Sequence, residues 1–148
     1  MDSTNNFAKE LVANSGPVPD GTVIMAEGQY GGRGQADNTW LSEPGKNLTF
    51  SLILNCEFLP PAEQFCLSMA VSLGVLGTVK RELGKEALIK WPNDIYFGAK
   101  KLGGILIENV LMGSLLRSSV TGIGLNVNQT HFPRLEGATS FRLVKASE

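Results

Sequence analysis

The sequence predicts an α+β domain, with a mixed β-sheet and helices packed mainly on one face. Three observations lead there. Short β-branched and apolar runs recur between breaks rich in glycine and proline. One stretch, from Pro61 to Leu83, repeats apolar residues at helical spacing. No internal repeat or long linker divides the 148 residues, which are enough chain for one hydrophobic core.

In chain order, Ser3 or Thr4 can N-cap a short helix whose apolar face is Phe7, Ala8, Leu11 and Val12. Pro17 to Gly21 end it, and Thr22-Val23-Ile24-Met25-Ala26 reads as a buried strand. A glycine-rich loop from Gly28 to Asn38 leads to Trp40, and the run Asn47 to Leu54 alternates as a half-buried strand should. Pro60 and Pro61 open the long helix, with Phe65, Met69, Leu73, Leu76, Val79 and Leu83 on one face and Gly84 as its stop. Leu88 to Trp91 is a strand entering the turn Pro92-Asn93-Asp94. Tyr96-Phe97 and Lys101 to Asn109 form a hairpin about Gly98-Ala99-Lys100, and Ser118 to Val127 is a further strand. The tail from Asn128 to Glu148 has no strong period.

Composition narrows the function classes. Apolar residues make up 43% and charged residues 18%, ordinary for a soluble globular protein. A formal net charge of -1 gives no whole-chain attraction to DNA or to an anionic membrane. No uninterrupted apolar run approaches the roughly 20 residues of a membrane span. Cys56 and Cys66 lack CxxC spacing and His131 is the single histidine, so two buried free thiols are expected and no metal site.

Three segments can carry chemistry. In Gly31-Gly32-Arg33-Gly34-Gln35, glycines allow close backbone approach while N–H groups and a guanidinium can bind an anion. A flexible surface loop with a solvated arginine is an equal reading. Lys90-Trp91-Pro92-Asn93-Asp94 sets a lysine at a strand end beside an amide and a carboxylate, suited to phosphates, although such turns are commonly silent. Gly122 to Asn128 can bring backbone and Asn126 against a ligand, or be a strand with a bulge.

Taken together and in order, these motifs resemble the central catalytic domain of biotin–protein ligases (biotin–[acetyl-CoA-carboxylase] ligases). The matching pieces are Asp2-Ser3-Thr4-Asn5, Glu27-Gly28-Gln29, Gly32-Arg33-Gly34, Trp40 and Gly45-Lys46-Asn47-Leu48. Lys90 to Asp94, Lys101 to Glu108 and Gly122 to Asn128 complete the set, covering residues 2 to about 128.

The resemblance implies an enzyme that joins biotin to a lysine of a biotin carboxyl carrier protein through biotinyl-5'-adenylate, using ATP and Mg2+. It implies that Ser3, Thr4, Asn5 and Gln29 hold the ureido ring. Arg33, Gly34, Gln35 and Lys90 would meet the carboxylate and α-phosphate, with Lys90 and Arg33 catalytic. Gly32, Arg33, Trp40, Asn93 and Asn126 would serve the nucleotide. A cytoplasmic location and a homodimer are further expectations, with neither DNA nor membrane as partner. The domain is read as residues 1–148, without an N-terminal winged helix and incomplete at its C-terminus. Position 35 is Gln, followed by Asp37 and Asn38, where many members of that family carry a more basic loop. The competing readings are a lipoate or octanoate ligase and a truncated module that only binds biotin.

Overall fold

The computed structural model describes every residue except Asp37, Arg134 and Glu148. Helix α1 (Thr4–Asn14) begins where Ser3 Oγ accepts from the Asn6 amide. Strands β1 (Thr22–Met25) and β2 (Leu48–Asn55) flank the glycine-rich loop. A short 3-10 turn, Pro61–Glu63, leads into α2 (Gln64–Leu83), which Gly84 ends at φ 93°. Then come β3 (Ala87–Lys90), β4 (Asp94–Phe97), β5 (Lys100–Met112), β6 (Leu115–Leu125) and α3 (Phe141–Lys145).

The six strands form one sheet in the order β1-β2-β6-β5-β4-β3, with every neighbouring pair antiparallel. The parallel element is an isolated bridge from Lys101 to Ala138. The α+β class is thus as expected, and its two layers are unequal. Val79 and Leu83 of α2 and Val144 of α3 pack with Ile95, Leu102, Ile105, Ile123 and Leu125 on one face. On the other, Ala8 and Val12 of α1 cover Ile24, Ile53 and Val120. That second face also carries the site.

Several elements differ from expectation. α2 buries only Ser72, Val79 and Leu83, and apolar residues of its N-terminal half stand open to solvent. Phe65, Met69 and Leu73 are 47%, 45% and 62% exposed. With mean hydropathy 1.4 over an 18-residue window of Pro61–Leu83, this helical segment is long and apolar enough to cross a membrane, a length the sequence reading did not recognise. Cys56 is buried as expected, but Cys66 is exposed on the first turn of α2. The featureless tail contains α3, whose Ser140 Oγ accepts from the Leu143 amide at 3.2 Å. Five helical residues are too few to show a period.

Candidate functional site

On the α1 face the register lines up Thr49, Gly124, Gly104 and Asp94 as one row across four strands. Two glycines in its centre leave a trough. A Cβ at Gly124 would stand 2.5 Å from Trp40 Cε2, and one at Gly104 would stand 3.4 Å from Trp40 Cζ3. A Cβ at Gly122 would overlap the Asn5 amide. Gly124 and Gly122 therefore hold glycine because an indole and an amide occupy the space a side chain would take, while a Cβ at Gly104 would just touch the indole.

The cleft above the trough measures about 460 Å³. Its α1 end is polar. Thr4 N donates to Gln29 Oε1 at 2.6 Å, Ser51 Oγ donates to Asn5 Oδ1 at 2.6 Å, and Ser51 Oγ lies 2.8 Å from Thr4 Oγ1. Asn5 Nδ2 in turn donates to Leu106 O and to Glu108 Oε2. Ser3, Thr4 and Asn5 are all buried, so their side chains are held in one arrangement rather than solvated.

The opposite end is aromatic and cationic. Lys101 Nζ lies 2.7 Å from Asp94 Oδ1 and 5.9 Å from the centroid of the Trp40 ring. A bulge puts Lys101 there. Tyr96 pairs with Lys101 while Ile95 pairs with Gly103, so Leu102 is the extra residue. Simple alternation would turn Lys101 and Gly104 to opposite faces; the bulge brings both to the cleft and sends Leu102 into the core.

The glycine-rich loop closes on itself. Arg33 bridges Thr39, Gly34 N donates to Asn38 O at 2.6 Å, and Ala36 turns at φ 52°. Its base is fixed to the N-terminal segment through Gly31 N to Asp2 O at 2.8 Å. The Arg33 guanidinium donates to Asn6 Oδ1 at 3.1 Å and pairs with Glu108 Oε1 at 3.1 Å. Lys9 Nζ lies 2.7 Å from the same oxygen. Burial opposes ionisation of Glu108, but hydrogen bonds from Lys9 and Asn5, with the charges of Lys9 and Arg33, outweigh it and hold the carboxyl below its usual range.

Of the residues singled out in the sequence, Ser3, Thr4, Asn5, Gln29, Arg33, Gly34, Gln35, Trp40 and Asn93 line this cleft. Gly32 lines the hollow beside it, its carbonyl accepts from Trp40 N at 2.9 Å, and a Cβ there would overlap the Trp40 carbonyl. Asn93 also ties down β5, donating from Nδ2 to Ile105 O at 2.9 Å. Two residues stand elsewhere. Lys90 is exposed at the end of the edge strand β3, where its Nζ lies 3.4 Å from Tyr96 Oη and 4.9 Å from that ring's centroid. One strand, β4, separates it from the Gly104 trough; its partner across the β3–β4 pair is Asp94 on the cleft wall, while the Lys90 side chain turns to Tyr96 and is not part of the lining. Asn126 is buried outside the cleft, donating to Thr139 O at 3.0 Å. The residue missed is Lys101. Its signal was the lysine before a glycine pair in Lys101-Leu102-Gly103-Gly104, since a cation next to an open backbone suits an anionic ligand.

This fold and cleft are those of a protein-ligase family domain. Residues 1–126 match the Biotin/lipoate A/B protein ligase family, and the chain is a member of it. The bifunctional ligase/repressor BirA of Bacillus subtilis is 36% identical over 129 residues, covering 87% of this chain and 39% of that protein. The biotin–[acetyl-CoA-carboxylase] ligase of Mycobacterium tuberculosis is 34% identical, covering 79% and 43%. Among solved structures, the biotin protein ligase of Aquifex aeolicus in complex with biotin and ATP superposes with a TM-score of 0.79 at 33% identity. That match covers 98% of this chain and 58% of the other. The chain thus spans well under two thirds of the length of these relatives.

Proposed function

We propose that this domain activates biotin with ATP and passes it to a lysine of a biotin carboxyl carrier protein. The observation that carries the reading is one cleft with two unlike ends: hydrogen-bonding groups at the α1 end, and Lys101 with Trp40 at the other. Biotin has the same division, a polar ureido ring joined by an aliphatic chain to a carboxylate. The relatives named above, one of them solved with biotin and ATP, support the same substrates.

In the first step a biotin carboxylate oxygen attacks the α-phosphorus of ATP. The bond from that phosphorus to the bridging oxygen breaks and pyrophosphate leaves. Lys101 in the cleft, and Arg33 once drawn from Glu108, would meet the negative charge that builds up, and cations there lower the barrier. Trp40, seated over Gly124 and beside Gly104, would offer its free face to the adenine. Asn93, at the cleft wall, and the loop glycines 32 and 34 complete the nucleotide side. In the second step the carrier's lysine amine attacks the acyl carbon, AMP leaves, and the amine gives up a proton.

Mg2+ would arrive on the phosphates of ATP and shield their charge. Among the described residues no cluster of three or more His, Cys, Asp or Glu forms a cage for it. Asp94 is a carboxylate on the cleft wall that fits a phosphate-borne ion.

A lipoate or octanoate ligase is the alternative within the family. Neither acyl chain has a ureido group to engage Thr4, Asn5 and Gln29, so the polar end favours biotin. The deciding experiment is ATP–pyrophosphate exchange on the purified chain with biotin, lipoate or octanoate. Exchange with biotin alone supports the reading; exchange driven best by octanoate or lipoate overturns it. Binding without exchange would leave a biotin-binding module.

A further inference from the structure

Glu108 is remote from the row of glycines, yet it is the most heavily engaged carboxylate on this face. Its Oε1 meets Lys9 Nζ at 2.7 Å and Arg33 Nη1 at 3.1 Å, and its Oε2 accepts from Asn5 Nδ2 at 2.9 Å. Arg33 stands on a divide. It lines the cleft, and it also lines the neighbouring hollow in which Glu108 sits. Glu108 lines the hollow and not the cleft. The guanidinium therefore points away from the anion it would serve, toward an anion of the protein's own.

We propose that Glu108 is a positioning residue acting through Arg33: it is the resident counter-ion of the guanidinium, and an anionic ligand in the cleft takes Arg33 from it. The exchange is feasible because Glu108 is not left bare. Lys9 stays on Oε1 and Asn5 on Oε2, so a half-buried carboxylate keeps a charge partner and a hydrogen bond after Arg33 departs. Asn6, which loses the guanidinium too, keeps its Nδ2 bond to Asp2 at 2.8 Å. The Arg33 side chain is 46% exposed, so screening limits the strength of its pair with Glu108 and makes it exchangeable. The ligand-free chain thus parks its loop in a fixed place at a small cost in affinity for anions.

The inference rests on the biotin reading of the cleft, and the test separates the two. Calorimetric titration uses biotin, whose carboxylate is charged, and biotinamide, which is neutral. In Glu108→Gln the freed guanidinium should bind biotin about two- to fivefold more tightly, the range of an exposed ion pair, with biotinamide unchanged. In an Arg33→Gln background the same substitution should have no effect, because the change acts through Arg33 and not through the general field. Lys9→Met serves if Glu108→Gln folds poorly. It leaves Glu108 more dependent on Arg33 and should weaken biotin binding, again only when Arg33 is present. Limited trypsin digestion of the ligand-free chain, mapped by mass spectrometry, should cut after Arg33 faster in Glu108→Gln. Unchanged or weaker biotin binding in Glu108→Gln, or an equal gain without Arg33, overturns the exchange. Failure of the unsubstituted chain to bind biotin overturns the substrate reading, while the tryptic rate still reports whether Glu108 restrains Arg33.

Discussion

Lys101 and Asp94 face each other across the β4–β5 pair at 2.7 Å, at the aromatic end of the cleft. The pair holds the ammonium beside Trp40 without burying it, since Lys101 keeps 36% of its side-chain surface. A lysine so placed can turn from one anion to another as phosphate arrives.

Lys101→Gln should therefore lower biotin-dependent pyrophosphate exchange by about 10²–10³, the common loss when one preorganised charge is removed. Lys90→Ala should lower the exchange less than Lys101→Gln, because Lys90 Nζ rests on Tyr96 beside the cleft wall rather than in the lining. Exchange rates for both variants, with circular dichroism to confirm folding, check the pair. A reversed order would return the role to Lys90.

Trp40 makes a second prediction. A Cβ at position 124 would stand 2.5 Å from its ring, and Trp40 Nε1 is already buried without a partner. Gly124→Ala should push the indole off the sheet and cost about 1–3 kcal/mol of stability, as overpacking does. Thermal melting and Trp fluorescence read this directly. ATP should also bind more weakly in the variant than in the unsubstituted chain.

The two kinds of success in reading the sequence have one origin. Motif order carried the resemblance that singled out Ser3 to Asn5, Gln29, Arg33 and Trp40, and these residues meet in one cleft. Periodicity likewise placed α1, α2 and the strands. Lys101 was not legible because its direction depends on the bulge opposite Ile95, a pairing between strands that alternation along one strand does not report. Lys90 and Asn126, also singled out, do not line the cleft in the ligand-free chain, for a complementary reason. Their residue types suit a phosphate, but an edge position and a buried bond to Thr139 are tertiary facts. The exposed half of α2 escaped too, since an apolar stripe predicts a face to bury but not what lies against it.

Glu108 predicts a pH dependence. Its carboxyl is held below the usual range in the folded chain, chiefly through Lys9 and Asn5 working against burial. A depressed carboxylate contributes stability that is full above the unfolded value of about 4.3 and is lost as pH falls through the lower folded value. The melting temperature of the unsubstituted chain should accordingly fall more steeply than that of Glu108→Gln as pH drops below about 5. Parallel acid melts of the two proteins measure it. Curves that stay parallel would show that the carboxylate is not held in its ionised form by folding.

The cysteines differ in reach. Cys56 is buried, and burial together with the charge of Asp20 pushes its thiol up, whereas Cys66 is exposed. A maleimide at neutral pH should label Cys66 in the native chain and Cys56 only after denaturation. Peptide mapping distinguishes them, and prompt native labelling of Cys56 would contradict the packing under β6.

Gln35 bears on retention of the intermediate. It lines the cleft beside Arg33, where a basic side chain would add charge near the acyl phosphate. A glutamine offers neutral hydrogen bonds, which are roughly half as strong as charge-assisted ones. The chain should therefore release biotinyl-adenylate faster than a Gln35→Arg variant. The first half-reaction should survive in both, because Arg33 and Lys101 still line the cleft. Since the loop faces solvent, the slowing by Gln35→Arg should be larger at low salt, where screening is weak over about 10 Å or more. Stopped-flow dissociation of preformed biotinyl-adenylate at two ionic strengths gives both numbers. Equal rates for the two proteins at both salts would leave retention to Arg33 and the loop amides, with position 35 only part of the wall.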